Sequence, residues 1–317
     1  MSVTVLMTTY NCGSFISEAI KSILIQTYKD FEFLIVDDGS NDNTEELVKS
    51  YSDSRIKYIK IKHIGIGAAA NIGLKLAKYD WIARMDADDI CHPNRLESQI
   101  KYLEDDKIII SSWCAYFKNK KILFITTPPS DDSSIKKELY LHSIVNHLGS
   151  IFNKTFILNE LGGYDEKLEA FIDYDLWLRA RNKAKFFIVP QFLVFARIRS
   201  NSVSDLKLYK KDKLFYELQL KYLSSTVLNF ENRIILGWRE YFYGEKNVCR
   251  EYWRKIKLKE WNYRMYIAYA LSFLPKVFIN YLKKLRLRLR LEYLLQKKTK
   301  YAELNEDFKK LLNQVSA

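Results

Sequence analysis

The amino-acid sequence predicts an α/β fold, a mostly parallel sheet flanked by helices, followed by a basic and mainly helical C-terminal region. Three observations carry this expectation. Short β-rich runs alternate with segments of helical periodicity from Val3 to Met85, the pattern of a parallel sheet with helices on both faces. Polar clusters fall where those runs end, and open α/β sheets bind ligands at the carboxyl ends of their strands. Charge is divided along the chain: residues 1–205 carry 26 Lys and Arg against 27 Asp and Glu, whereas residues 206–317 carry 25 against 11.

The elements follow in order. Val3 to Leu6 is an apolar, β-rich run that ends in Thr8, Thr9, Tyr10 and Asn11. Phe15, Ala19, Ile20, Ile23 and Leu24 recur at helical spacing, so Ser14 to Gln26 reads as an amphipathic helix. Phe31 to Val36 is the next strand and stops at Asp37-Asp38-Gly39-Ser40. Asn43 to Tyr51 is a helix with Asn43 or Asp42 as its cap. Arg55 to Ile61 is a strand, Ala68 to Lys78 a helix, and Trp81 to Met85 a strand ending at Asp86. Beyond Leu103 the pattern loosens. Ile108–Trp113 and Lys121–Thr126 read as an antiparallel pair, and Pro128-Pro129 opens a loop. Leu161-Gly162-Gly163-Tyr164 is a turn before a helix over Tyr174–Asn182. Phe186–Arg199 holds strand broken by Pro190, and helical spacing dominates from Leu206. Two regions are expected: residues 1–205, carrying the sheet, and residues 206–317, basic and helical.

Several function classes are disfavoured by composition. Cys12, Cys91, Cys114 and Cys249 contain no CxxC pair, which argues against zinc and thioredoxin-type chemistry and suits a reduced, cytoplasmic protein. The N-terminus has no basic segment leading into an apolar stretch, so no signal peptide is read. Nucleic-acid binding is suggested by the net charge of +13 and abundant aromatics, but no recognised nucleic-acid motif accompanies them. Gly65-Ile66-Gly67-Ala68-Ala69-Ala70 fits a dinucleotide fingerprint, with Asp86 at the expected distance. That reading, a Rossmann-type oxidoreductase, leaves Asp37-Asp38 and Asp88-Asp89 without a role.

Asp86-Ala87-Asp88-Asp89 places carboxylates at i and i+2 where a buried strand runs out. Hard oxygen donors of this kind suit Mg²⁺ or Mn²⁺. A solvated loop capping the next helix has the same composition. A second acidic strand end at Asp37-Asp38 favours the site reading, because like charges converging in one crevice are costly unless a cation or donor groups are bound.

These segments together resemble family 2 of the glycosyltransferases. The resemblance is carried by Val3–Asn11, Gln26-Thr27, Phe33–Ser40, Ala70-Asn71, and Ala83–Asp89 with Pro93, Arg95, Leu96 and Gln99, in the family's order, and it spans Met1 to Ser204. It implies a GT-A fold and inverting, metal-dependent transfer of a sugar from a nucleotide-sugar, a UDP-sugar foremost. The acceptor would be a hydroxyl of a glycan or lipid-linked glycan, in surface polysaccharide or glycoconjugate synthesis. By the same resemblance Thr9, Tyr10, Asp37, Asp38, Asn71 and Asp86 would hold the donor, and Asp88 with Asp86 the Mn²⁺ or Mg²⁺. Asp173 would be the catalytic base, with Tyr164 and Asp175 in the acceptor segment. His147 is either an acceptor-region residue or a packed histidine. The sequence departs from the family at Ala70 (usually Arg), Ile172 (usually Glu) and Arg199 (usually His). Arg197 and Arg199, sharing a strand face, could reach the diphosphate or could line a solvated strand edge.

The C-terminal region interleaves its positive charge with large apolar residues. Met265–Pro275 is uncharged but too short to span a bilayer. An interfacial element fits better, with Trp261, Tyr263, Tyr266, Tyr269 and Phe273 as rim aromatics and basic residues facing anionic lipid. Leu285–Leu291 alternates with Arg286, Arg288 and Arg290 like a strand, within helical surroundings. The expected location is peripheral, on the inner face of the cytoplasmic membrane. A helical subdomain packed on the catalytic body, or a contact in a homo-oligomer, is the alternative.

Overall fold

A computed structural model describes residues 1–139, 143–199, 301–316 and scattered positions between 214 and 273. The chain divides into two compact units, one made of residues 1–200 with 301–317 and the other of residues 201–300.

The first unit is built on a mixed nine-stranded sheet. Its first part runs β1 (Val3–Thr9), α1 (Ile16–Leu24), β2 (Phe31–Asp37), α2 (Thr44–Lys49), β3 (Ile56–Lys60), α3 (Ile66–Leu76) and β4 (Trp81–Asp86). This is the expected βαβαβαβ order, with element ends moved by a few residues. Strands β1, β2 and β4 are nearly continuous apolar runs because helices cover both of their faces. Ile16, Ala19, Ile20 and Ile23 of α1 pack with Val3, Val5, Met7, Phe33 and Ile35 in one core. Beyond β4 come β5 (Ile90–Cys91), α4 (Arg95–Ile100), β6 (Ile108–Lys118), β7 (Lys121–Thr126), α5 (Asp132–Leu139), β8 (Ile151–Asn153), α6 (Ile172–Ala180) and β9 (Lys185–Arg197). The strand order is β3-β2-β1-β4-β8-β6-β9-β5, with β7 beside β6.

Three expectations are revised here. Pro190 does not break its strand. β6 and β9 pair in parallel from Ile108↔Lys185 onward, and the register slips after Ser112↔Val189 to Trp113↔Phe192. Pro190 and Gln191 are exposed in that irregularity, where a missing N–H costs no ladder bond. Helix α6 begins at Ile172, two residues before its expected start, and follows Phe171 in a left-handed conformation (φ 59°). Residues 301–317 belong with the first unit, although the sequence grouped them with the basic region. Helix α8 (Ala302–Ser316) buries Phe308, Leu311, Leu312 and Val315 against Ile90, Phe117 and Phe195. Its apolar face needs a partner, and the end of the sheet supplies one.

In the second unit the described residues include helix α7 (Lys246–Arg254), which buries Cys249 and Trp253. Arg250 donates to the Ser272 carbonyl at 3.0 Å and its guanidinium lies 4.5 Å from the Phe273 ring centre. Tyr266 and Phe273 are exposed. Trp261, Tyr263 and the run Leu285–Leu291 lie outside the described residues. Among the described residues no helix is long and apolar enough to cross a membrane.

Candidate active site

The site forms where three parallel strands end together. β1 is flanked by β2 and β4 in a register that sets Thr9 beside Asp37 and Thr8 beside Asp86. The polar strand ends at Thr8–Tyr10, Asp37–Ser40 and Asp86–Asp89 are therefore neighbours across the sheet. A 720 Å³ cleft lined by Ser2, Lys78, Asp80 and Asp106 lies at the opposite, amino ends of β1 and β4, away from these residues.

At the β2 end both aspartates accept hydrogen bonds from the protein. Asp37 is fully buried, accepting from the Ser40 N–H (2.8 Å) and the Tyr58 hydroxyl (2.6 Å). Asp38 accepts from the N–H groups of Ile64 (2.8 Å) and Gly65 (3.0 Å), and His63 Nδ1 lies 2.9 Å from its carboxylate. Gly39 follows them at φ 78°, and a Cβ there would come within 2.8 Å of the His63 backbone nitrogen. Asp38 thus fixes the loop after β3 rather than offering a free carboxylate. That loop brings His63 to Tyr10, where the rings stack at 4.2 Å and 18°. Tyr10 is 42% exposed, so one face of an aromatic platform meets solvent beside the strand ends. No sequence pattern marks His63 for the site, because only the fold of the 61–65 loop carries it there.

Asp86 ends β4 and is one-third exposed. Burial raises its pKa, with Arg84 pulling it down and Asp88 pushing it up. Asp89 is buried, and its pKa stands well above the ordinary value through burial, Asp88 and Asp86. Three carboxylates are crowded here, with Arg84, Arg95, Arg197 and Arg199 as the surrounding countercharges. Arg84 lies 3.9 Å from Asp86 and Arg199 2.7 Å from the Asp88 carboxylate. Among the described residues no cluster of three or more His, Cys, Asp or Glu side chains could enclose a metal. A pair of carboxylates nevertheless fits Mg²⁺-type binding, in which one or two carboxylates act together with substrate phosphates.

The two arginines divide their labour. β9 ends at Arg197, and both guanidinium groups lie over the Phe15 ring, at 5.1 Å for Arg197 and 5.3 Å for Arg199. Arg197 is turned from solvent and bonds Glu18 (2.5 Å) and the Asp88 carbonyl (2.8 Å). Arg199 faces the Asp88 carboxylate.

On the acceptor side, α6 places Asp173 in its first turn. Burial pushes the Asp173 carboxyl up to about 6, with the Tyr174 backbone N–H opposing and Asp86 reinforcing. His147 is packed beneath: its Nε2 lies 2.9 Å from the Tyr164 hydroxyl and accepts from Arg84 Nε at 3.3 Å. Burial, then Arg84, hold its pKa well below the ordinary histidine value, so the imidazole is neutral. Arg84, inside the Ala83–Asp89 segment, is a fully buried cation bonded to the Leu6 carbonyl and the Thr8 hydroxyl, both at 3.1 Å.

Two expected site residues are engaged by protein groups. Asn71 Nδ2 donates to the Tyr164 carbonyl (3.0 Å) and Glu166 (2.8 Å), while its Oδ1 accepts from the Tyr164 N–H (2.8 Å). It fastens α3 to the segment bearing Tyr164. Asp175 is fully buried and pairs with Arg179 at 2.7 Å, and Arg179 in turn donates to the carbonyls of Leu161 and Gly163. Neither side chain is free for a ligand. Other residues of the matching segments also bond the protein's own backbone. Buried Arg95 donates to the Arg84 carbonyl (2.7 Å), Gln99 to the Gly149 carbonyl (2.7 Å) and Gln26 to the His92 carbonyl (2.8 Å). The dinucleotide reading fails on packing: a Cβ at Gly67 would lie 3.1 Å from the Asp165 carbonyl, so protein fills the space where a pyrophosphate would approach.

Comparison with known proteins agrees with this geometry. Residues 4–161 match the sequence model of Glycosyl transferase family 2. An uncharacterized glycosyltransferase of Methanocaldococcus jannaschii is 38% identical over 253 residues, covering 76% of this chain and 85% of the relative. Staphylococcus aureus TarS in complex with UDP-GlcNAc superposes with a TM-score of 0.61 at 19% identity, over 100% of this chain and 92% of that one. The mannosyltransferase PcManGT of Pyrobaculum calidifontis, in complex with GDP-Man and Mn²⁺, does so with 0.54 at 15% identity, over 99% and 85%. The solved structures share the GT-A fold. With the strand ends, the matched residues and the close relative in agreement, the chain belongs to glycosyl transferase family 2 and is a glycosyltransferase.

Proposed function

We propose that the chain transfers a sugar, with inversion, from a UDP-sugar to a hydroxyl of a glycan or lipid-linked glycan, using Mn²⁺ or Mg²⁺. The observation that carries the reading is the register that brings Thr8, Thr9, Asp37 and Asp86 to one sheet edge, with Asp173 near by in charge terms. Tyr10 and His63 offer a stacking face for the nucleobase, and buried Thr9 and Asp37 shape the floor beside it. Asp86 and Asp88 would hold the divalent ion, which supplies Lewis-acid stabilisation of the departing diphosphate. Arg199, drawn from Asp88, contributes a second positive charge to the same oxygens.

Asp173 takes the proton from the acceptor hydroxyl as that oxygen attacks the anomeric carbon from the face opposite the diphosphate. A carboxylate with a pKa of about 6 is a stronger base than an ordinary aspartate and is still ionised at neutral pH. One displacement inverts the anomeric centre. The neutral His147–Tyr164 pair and buried Arg84 keep the wall behind Asp173 fixed. The support for UDP and for a divalent ion is by likeness: TarS is complexed with UDP-GlcNAc, and PcManGT with GDP-Man and Mn²⁺. The basic residues of 206–300 would hold the enzyme at an anionic membrane surface, on the cytoplasmic face, where a lipid-linked acceptor is presented.

The test is a donor panel of UDP-glucose, UDP-galactose, their N-acetyl forms and GDP-mannose, followed by nucleotide release with and without EDTA. Release from one UDP-sugar, abolished by EDTA and restored by Mn²⁺, is expected. Release unaffected by EDTA would overturn the metal role, and turnover of GDP-mannose alone would overturn the UDP assignment.

A further inference from the structure

We propose that Arg197 is a positioning residue for the Asp88-Asp89 turn, and that Glu18 and helix α8 lock it in place. The inference rests on the reading of Asp88 as a cation ligand. It concerns what holds that ligand still.

Arg197 touches the turn twice and its support once. Its backbone N–H donates to Asp89 Oδ1 at 2.6 Å, and its Nε to the Asp88 carbonyl at 2.8 Å. Its Nη2 donates to Glu18 Oε2 at 2.5 Å, where the two side chains are 16% and 25% exposed. The guanidinium carbon lies 4.6 Å from the Phe117 ring centre and 5.1 Å from that of Phe15. A planar guanidinium with several fixed donors can serve both partners while lying against rings, whereas an ammonium on a flexible stem cannot hold both directions.

The anchor is itself held from α8. Ser316 Oγ donates to the other Glu18 oxygen at 2.7 Å. Phe308 packs on Phe117 (4.7 Å) and stacks on Phe195 (4.6 Å), and Phe195 pairs with Ile90, the residue that follows Asp89. Asn305 accepts from the Ile122 N–H at 2.9 Å, pinning the helix to β7. From α8 the contacts therefore converge on the Asp88-Asp89 turn by two routes, one polar through Glu18 and Arg197 and one apolar through Phe308, Phe195 and Ile90. Arg197 leaves the Asp88 carboxylate itself free of its grip. It constrains where that carboxylate stands relative to Asp86, and so the fit of a cation between them.

The test measures Mn²⁺ affinity by electron paramagnetic resonance in the presence of UDP, and UDP affinity separately in EDTA, on the full-length chain. Glu18→Gln and Arg197→Lys should each weaken Mn²⁺ about tenfold, the scale seen when supports of metal ligands are removed. The double variant should be little worse than either single one, because both act on one clamp. UDP affinity in EDTA should stay within about twofold, a split that a general loss of structure would not produce. Ser316→Ala, which removes a single surface contact, should give a smaller loss in the same direction. If Asp88→Ala abolishes Mn²⁺ binding while Glu18→Gln and Arg197→Lys leave it unchanged, the clamp is overturned and the metal site stands. If Asp88→Ala leaves Mn²⁺ affinity intact, the site reading fails, and this inference with it. Parallel loss of UDP affinity in EDTA would overturn positioning in favour of simple destabilisation.

Discussion

Replacing Asp173 by Asn should abolish most turnover and at the same time stabilise the protein above pH 6. The carboxyl is pushed up to about 6 from 3.8, chiefly by burial. The folded protein therefore binds this proton more tightly than the unfolded chain does. The stability that the group contributes is complete below about pH 4 and is lost as pH rises through 6. A shift of roughly two units corresponds to ~3 kcal/mol of differential interaction. Asp173 is half-buried, so solvent screening reduces the figure to about 1.5 kcal/mol. At roughly 2–4 °C per kcal/mol for a chain of this size, the Asn variant should melt about 3–6 °C above the wild type at pH 7.5 and at about the same temperature near pH 4. The assay is thermal unfolding in EDTA without nucleotide, followed by fluorescence, with turnover measured in parallel. Turnover should drop by roughly 10²–10⁴, the usual worth of a general base. For the wild type, turnover should climb through pH 6 to a plateau as the base ionises. An equal melting difference at both pH values, or turnover within tenfold of wild type, would refute the assignment of a raised pKa to a catalytic base.

Four further outcomes are expected. Asp88→Ala should remove the Mn²⁺-dependent part of UDP binding with little change in melting, read by calorimetric titration with and without EDTA. Arg199→Gln should bind Mn²⁺ more tightly without nucleotide, because its 2.7 Å contact with Asp88 competes for that carboxylate, yet bind UDP more weakly with Mn²⁺; tighter UDP binding would contradict this. Asp175→Asn leaves Arg179 near the core without its partner and should cost roughly 3 kcal/mol, seen as a lower denaturation midpoint. An unchanged midpoint would return Asp175 to the acceptor site. Charge reversal of Arg286, Arg288 and Arg290 should reduce sedimentation with anionic liposomes and not with neutral ones, each residue contributing about 1 kcal/mol. The charge reversal leaves α8 in the catalytic unit.

The sequence by itself determined the sheet, its polar strand ends and the family. Buried parallel strands read as continuous apolar runs, and Asp37 or Asp86 at the end of such a run can only sit at the carboxyl edge. That much is local pattern. It could not apportion roles among like residues, because role depends on what folds back to meet them. Asp37 and Asp38 are adjacent, yet the loop at Ile64 and Gly65 claims the Asp38 carboxylate. Asp173 and Asp175 are two apart in one helix. The 100° turn per residue carries the second into the core beside Arg179 and leaves the first half-exposed. Asn71 belongs to the family pattern, and only tertiary contact with Tyr164 reveals that it fastens two segments. Helix α8 is separated from the sheet by the whole of residues 201–300, so no periodicity could announce that its apolar face completes the catalytic unit. Contacts over such separations are decided by which surfaces remain unburied once the sheet has formed, and that is a property of the assembled fold.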